Sequence, residues 1–466
     1  VKRRVAIVGG GVAGIAAAIR LAEAGCEPIV IETRPRLGGR ATSFVDPRTG
    51  YVLDNCQHVV LGCCTNILDL YARLGVLDAI EWHRTLYWTR GHGIIDTMRP
   101  GLLPAPLHFL SSLRRMRSFD GAQKKHIGRA MRRILKLGRS GRFQWRDRTF
   151  AEFLADCDQP GSVISGFWNT VIISACNLDV GRVGAASALQ VFQDGFLNHR
   201  WSSAMGLSTV PLLDLYDAAE PILRESGGEI RLGESARSIA FDGSRVTGVV
   251  TGDDLVEASA VISAVPWDRL DKLASESLRT ADARLQDLDR LDVSPILGVH
   301  LHFDREIMTL PHLILIDRGV QWLFNKGVDD RGAQHVHAVI SAADDWMPLD
   351  EVEIVARVVD DVHHVLPGAR GIDPVEARAV KEKRATFAAT PESERFRPAG
   401  NPGYVGLRGG GVENLFLAGD WCDTGWPATM EGAARSGYAA AHALTGEGGV
   451  VEDVPIAWLA RALGLK

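Results

Sequence analysis

The segment Val5–Glu32 constrains the chain more than any other. Val5-Ala6-Ile7-Val8 is a short apolar run with the composition of a strand buried on both faces. It leads directly into Gly9-Gly10-Gly11-Val12-Ala13-Gly14, a G-x-G-x-x-G pattern, and then into an alanine-rich helical stretch reaching about Ala24. Pro28-Ile29-Val30-Ile31 is the next strand, and it ends on the acid Glu32. A glycine-rich turn alone says little. With a strand before it, a helix after it and an acid closing the second strand, the unit reads as a dinucleotide-binding βαβ. Gly9 permits the tight turn, and Gly11 lets backbone approach a pyrophosphate at the helix N-terminus, where Val12 and Ala13 lie. Gly14 lets the helix pack closely on the sheet. Glu32 accepts hydrogen bonds from ribose hydroxyls and repels a 2′-phosphate.

At 466 residues the chain has room for two or three domains. Its 46% hydrophobic and 23% charged content are those of a soluble globular protein, and a net charge of −5 gives no bulk case for nucleic acid. The seven cysteines show no C-x-x-C spacing, so reduced thiols of a cytoplasmic protein and no metal site are expected. Val1-Lys2-Arg3-Arg4 runs into a strand the fold needs, so no removable signal is expected. The uncharged stretch Val5–Ile19 is too short for a membrane span and is broken by glycines. Charge is unevenly placed. Between Ser112 and Arg148 thirteen Lys/Arg face only Asp120 and Asp147, a block of +11 that leaves −16 on the rest.

Further along, Asn66–Leu74 has helical spacing, and Trp82–Ala204 is rich in helical patterns, as an inserted domain would be. From Gly228 the pattern turns to strands: Glu229–Leu232, Ala236–Phe241, Val246–Thr251 and Leu255–Val265 read as a meander with a return strand. Ile296–Phe303 and Val336–Ile340 are further strand candidates, and Val352–Leu366 is helical. Leu415–Ala418 followed by a helix over Met430–Leu444 restores α/β character.

Which dinucleotide binds is decided by two later segments. Arg36-Leu37-Gly38-Gly39-Arg40 resembles the R-x-G-G-R segment of the FAD-dependent amine oxidase and phytoene desaturase superfamily. There Gly38 and Gly39 let backbone touch the diphosphate while Arg40 neutralises it. Asn414–Asp420 reads N-L-F-L-A-G-D. The resemblance implies that Gly419 and Asp420 meet the ribityl or phosphate region. It also implies that Thr429 and Met430 open a helix whose dipole faces the flavin, and Arg237 joins the cofactor set. FAD is therefore the expected cofactor. The expected class is α/β, a two-domain flavoprotein with a Rossmann-like FAD-binding domain and an interleaved α+β substrate domain. The FAD-binding domain is discontinuous, over residues 1–80, 205–290 and 403–446; the substrate domain takes 81–204 and 291–402.

Asp54-Asn55-Cys56-Gln57-His58 and the residues to Cys64 resemble the G-Q-H segment that lies beside the flavin ring in carotenoid-type desaturases. This adds Asn55, Cys56 and Gln57 to the cofactor set, with Cys56 where many relatives have Gly. Gly425–Gly437 and Leu103–Leu113 resemble the hydroxysqualene dehydroxylases, also called squalene-associated FAD-dependent desaturases. That family resemblance implies reduction of hydroxysqualene to squalene, with hydride from the flavin and the hydroxyl leaving as water. Ionising an allylic alcohol needs a proton donor, and His58 and Asp423 are the candidates. Each has a plainer reading, His58 as a packing or phosphate-facing histidine and Asp423 as a turn residue.

Other functions remain open at this stage. A carotenoid desaturase would run the same scaffold oxidatively. An amine oxidase fits less well, because Thr429 stands where those enzymes place an aromatic residue. A non-enzymatic isoprenoid-binding module, as in Rab GDP-dissociation inhibitors, conflicts with the full set of FAD motifs. The apolar Leu102–Leu113 stretch with the basic block behind it reads as a monotopic contact with anionic lipid, against the alternative of a solvated basic helix. The expectation is a cytoplasmic protein, peripheral to the inner face of the membrane through Leu102–Arg148, acting on a hydrophobic isoprenoid.

Overall fold

In the computed structural model, described for residues 2–329, 331–402 and 410–466, the first apolar run lies at the centre of a parallel sheet. The strand order is Glu229–Leu232, Glu27–Glu32, Arg4–Val8, Ala260–Ser263, Leu415–Leu417. Successive side chains point to opposite faces. Val5 and Ile7 pack with Ile15, Ala16 and Ile19 of the helix Val12–Glu23 and with Tyr438 of the helix Met430–Thr445. Ala6 and Val8 join Ile239, Val246 and Val249 of a three-stranded antiparallel meander on the other side. Both faces are covered, which is why the run is apolar without alternation. The two covering helices touch backbone to backbone: a Cβ at Gly437 would lie 2.3 Å from the Ala13 carbonyl oxygen.

A seven-stranded sheet forms the second layer system. Its order is Glu376–Phe387, Val293–Phe303, Gln334–Ser341, Trp322–Val328, His312–Leu315, Leu86–Gly91, Ile94–Met98. Only His312–Leu315 and Leu86–Gly91 pair in parallel. One face packs Leu297, Val299, Leu301, Val336 and Ala338 against Ile354, Val358 and Val362 of the helix Glu351–Val365. That helix starts where the Asp350 carboxylate accepts from the Glu353 N–H.

Three differences from the sequence expectations have physical reasons. Leu255–Val265 is not one strand. Asp254–Glu257 ends the meander, Ser259 donates its N–H to Arg4, and Ala260–Ser263 resumes parallel to Arg4–Val8. Trp82–Ala204 is not wholly helical, since Leu86–Gly91 and Ile94–Met98 enter the large sheet before the helices begin. Glu376–Phe387 was missed because it is an edge strand whose charged residues read as solvated chain; such charge protects an open edge. The boundary expected at residue 403 lies outside the described residues.

The helices between Gly121 and Leu197 surround an aromatic core of Phe150, Phe153, Trp168 and Phe192. Two π-helical stretches, Ile164–Asn169 and Val191–Leu197, interrupt them. No described helix is long and apolar enough to cross a membrane.

Candidate active site

A cavity of about 920 Å³ runs from the carboxyl ends of the parallel strands to the inner face of the seven-stranded sheet. Such a crevice is where open α/β sheets bind ligands. Val8, Gly9, Gly11, Val12 and Ala13 wall its near end. Gly9 has φ +107°, and a Cβ there would sit 2.9 Å from the Ala264 carbonyl oxygen. Gly14 lies outside the lining. A Cβ on it would approach Gly9 O to 1.9 Å, so its role is close helix packing, as the motif suggests. The second glycine pair lies against the first. Gly38 donates its N–H to Gly10 O at 2.9 Å, and a Cβ on Gly39 would meet Gly11 Cα at 3.1 Å.

Glu32 is buried at the edge of this trough. Its carboxylate accepts from the N–H groups of Gly10 (2.7 Å) and Arg34 (2.8 Å). A carboxylate has about four acceptor positions, so two remain for ribose hydroxyls. Arg40 differs from its expected role. Its guanidinium donates to Asp420 at 2.5 Å and to the Ala385 carbonyl at 2.8 Å, so it is tied to the acid of the C-terminal segment rather than left free for a diphosphate. Burial opposes the charge on Arg40, but the carboxylates of Asp420, Glu382 and Asp268 together hold the guanidinium above its ordinary pKa. Arg34, Arg237, Arg269 and Lys272 supply further positive charge to the lining, and of these only Arg237 was anticipated.

The far wall begins with Asn55, Cys56, Gln57 and His58, all lining the cavity. Asn55 donates to Glu382 at 2.9 Å. Burial pushes the Cys56 thiol up to about 12, which leaves it protonated and inert as a nucleophile. Beneath this segment lies a group of histidines. His300 contacts the Asp54 carbonyl at 3.0 Å and His335 at 2.9 Å, and His337 stacks on it with centroids 3.9 Å apart. Sequence reasoning passed over them, although H-x-H occurs twice, at His300/His302 and His335/His337, and in a strand puts both rings on one face.

His58 is in place, but its chemistry is not that of an acid at rest. Its Nδ1 lies 3.0 Å from the Cys56 carbonyl, which only accepts, so Nδ1 carries the hydrogen and Nε2 is left as an acceptor. Burial lowers its pKa and favours the neutral ring. Asp423 is a correction. It is exposed, lies outside the cavity lining, and accepts from the Gly425 N–H in a turn.

The C-terminal wall is built by Gly419, Asp420, Thr429 and Met430, all in the lining. Thr429 caps the helix Met430–Thr445 by accepting from the Gly432 N–H at 3.1 Å, which points that N-terminus at the cavity. Glu431 serves a different end. Its buried carboxylate accepts from the N–H groups of Asn66 and Ile67, filling the first turn of the helix Thr65–Arg73, whose Cys64 N-cap offers no side-chain bond. Arg397, which no motif announced, gathers the loop after Asp420. It donates to the carbonyls of Cys422 (2.5 Å), Trp426 (2.8 Å) and Asp420 (3.2 Å).

Beyond these polar walls the cavity is lined by Leu86, Trp88, Ile314, Trp322, Phe324 and Val339. The π-helical stretch Val191–Leu197 borders the same space through Val191, Asp194, Gly195 and Phe196, and Thr170 and Val171, directly after the other stretch, line it too. A glycine-walled trough with an acid at one end and a helix N-terminus at the other, opening into an apolar room, fits FAD. The seven cysteines are free, and no group of metal-ligating side chains occurs among the described residues.

Comparison with known proteins agrees with this geometry. Residues 12–445 match the family described as flavin containing amine oxidoreductase. The hydroxysqualene dehydroxylase of Sinorhizobium fredii is 27% identical over 96% of this chain and 99% of its own length. The 15-cis-phytoene desaturase of Synechococcus elongatus is 25% identical over 95% of both chains. A putrescine oxidase structure superimposes with a TM-score of 0.71 over 96% of this chain and 100% of that one at 18% identity, which speaks for the fold alone. An oxidoreductase from Methanosarcina mazei gives 0.70 over 95% and 100% at 16%. With the trough, the apolar room and a match over nearly the whole chain, the protein is an FAD-dependent oxidoreductase and belongs to the flavin containing amine oxidoreductase family.

Proposed function

We propose that the protein reduces hydroxysqualene to squalene with loss of water. The observation that carries this reading is the apolar room of the cavity, walled by Trp88, Ile314, Trp322 and Phe324, in a chain with full-length similarity to a hydroxysqualene dehydroxylase. When bound, reduced FAD would supply two electrons and two hydrogens, a hydride for carbon and a proton for the departing hydroxyl, so that the loss of water balances. The protein's own part is to hold a long hydrocarbon, exclude water and manage one hydroxyl. Aromatic and branched side chains bury the chain and gain roughly 25 cal/mol per Å² of apolar surface removed from water. His58 Nε2 accepts a hydrogen bond from the substrate hydroxyl and so orients its C–O bond. Thr429 occupies the place of an amine-binding aromatic and is committed to helix capping, which weighs against an amine substrate.

A second reading has one specific observation in its favour. With His58 neutral and Asp423 outside the cavity, neither expected proton donor stands ready, and carotenoid-type desaturation requires no acid. Two anaerobic incubations separate the readings. Reduced protein given hydroxysqualene is expected to yield squalene, whereas bleaching of oxidised protein by phytoene, with hydroxysqualene inert, would replace the first reading by the second.

The surface over Leu102–Arg148 supports a membrane contact on the cytoplasmic side, refined from the sequence expectation. Leu102 is 98% exposed. Of the thirteen cations, Arg117, Arg133, Arg139, Arg142 and Arg146 have acidic partners and serve the fold. The other eight, including Arg114, Arg115, Lys125, Arg129 and Arg132, have no acidic partner among the described residues and supply the field that draws anionic lipid.

A further inference from the structure

A second cavity, about 530 Å³, opens beside the exposed leucines and is distinct from the FAD-bearing one. Arg99, Arg115 and Arg200 line it, and none has an acidic partner within ion-pair distance among the described residues. Arg200 donates through Nη2 to the Gly101 carbonyl at 2.7 Å, but its buried Nε has no partner. His108 is fully buried in the same wall, and neither ring nitrogen has a hydrogen-bond partner. A neutral imidazole must carry hydrogen on one nitrogen, so this site holds an orphaned donor among cations. Buried polar groups without partners are uncommon and call for a ligand or water. What the wall lacks is an acceptor with several oxygens and negative charge.

Two features say where that acceptor comes from. The rim is apolar and outward-facing: Leu102, Leu103 and Leu107 are 98%, 45% and 38% exposed. Such side chains beside an anion site suit a molecule with a charged head and a hydrocarbon body. The wall also leads inward. His108 contacts Phe109 (4.3 Å between centroids), Phe109 contacts Phe196 (6.2 Å), and Phe196 lines the main cavity. The pocket therefore stands beside an apolar path to the active site.

We propose that Arg99, Arg115, Arg200 and His108 form a binding site for the phosphate of an anionic phospholipid headgroup, seating the mouth of the substrate cavity on the membrane surface. This rests on the membrane contact described above and adds a stereochemical site to it. Guanidinium forks and an N–H donor match phosphate oxygens, while Leu102, Leu103 and Leu107 enter the acyl boundary.

The test uses the FAD-loaded full chain and flotation with vesicles of phosphatidylcholine, alone or mixed with phosphatidylglycerol. Two charge-matched triple variants are compared. One is Arg99→Gln/Arg115→Gln/Arg200→Gln in the pocket; the other is Lys125→Gln/Arg129→Gln/Arg132→Gln on the exposed face of the basic helix. At about 1 kcal/mol per cation, loss of field alone weakens both by about a hundredfold. The headgroup site predicts that the pocket variant loses at least about tenfold more. It also predicts that sn-glycerol 3-phosphate at constant ionic strength competes against wild type but not against the pocket variant. Equal losses in the two triples overturn the headgroup site and leave the membrane contact standing. No vesicle binding by wild type overturns both. If inorganic phosphate binds the pocket while vesicle binding ignores the pocket substitutions, the site belongs to free phosphate and the lipid assignment fails.

Discussion

Glu32 is proposed to hold the adenosine ribose, and its oxygens are already oriented by Gly10 and Arg34. In Glu32→Gln one acceptor oxygen becomes an NH₂ group facing a backbone donor, and the remaining bond to ribose loses its charge. Hydrogen bonds to charged groups are worth about 1.5–3 kcal/mol, so FAD affinity is expected to fall about 10- to 100-fold. Reconstitution of apoprotein followed by flavin fluorescence measures this, and unchanged affinity would remove Glu32 from the adenosine end. Arg397 is the opposite kind of residue, invisible in the sequence because it meets carbonyls scattered from Asp420 to Trp426 and no short motif encodes that. Arg397→Ala leaves those carbonyls and Glu394 without their buried partner. A destabilisation of about 3 kcal/mol is expected, read as a lower urea midpoint. His58 lies between these cases: its position was legible from the Asn55–His58 segment, but its protonation was not, since that depends on a carbonyl two residues away and on burial.

At the scale of elements, the site is held by the contact between the helices Val12–Glu23 and Met430–Thr445, each presenting its N-terminus to the cavity. Gly437 makes that contact possible. A Cβ there would lie 2.3 Å from Ala13 O and 2.9 Å from Ala16 Cβ. Gly437→Val is expected to wedge the helices apart, costing about 1–3 kcal/mol by overpacking and lowering FAD occupancy with it. Gly128 on the basic helix is the contrast: a Cβ there meets nothing within 4 Å, and Gly128→Ala should stabilise by about 0.5–1 kcal/mol. Thermal unfolding with flavin absorbance as a second readout tests the pair, and similar behaviour of the two variants would contradict the helix-contact argument. Elements with a strong local pattern were legible. The βαβ unit, the Glu351–Val365 helix and the central strands Val293–Phe303 and Gln334–Ser341 follow from periodicity. The edge strand Glu376–Phe387 and the π-helical stretches do not, because one is patterned for solvent and the other depends on tertiary packing.

For the whole molecule, buried histidines set the acid limit of stability. Burial is the leading cause that lowers His108, His300 and His312 from 6.5 to about 4. The unfolded chain takes up these protons near 6.5, but the folded chain resists until about 4. Stability is therefore fully present above pH 6.5 and drains away as pH falls through 4. Each such shift is worth up to about 3 kcal/mol, a sizeable share of the roughly 5–15 kcal/mol of a typical domain. Urea midpoints should fall steeply across that window, and His312→Phe should flatten the slope; a midpoint independent of pH there would show that the rings are not held neutral. The same whole-molecule view joins the two sheets, since neither alone encloses the cavity. The measurement that bears most directly on the account is a single anaerobic turnover of fully reduced holoprotein with hydroxysqualene, following flavin absorbance and product together. The account predicts that oxidised flavin returns with one squalene formed per FAD. Flavin that stays reduced in the presence of hydroxysqualene, or that reoxidises without forming squalene, would contradict it.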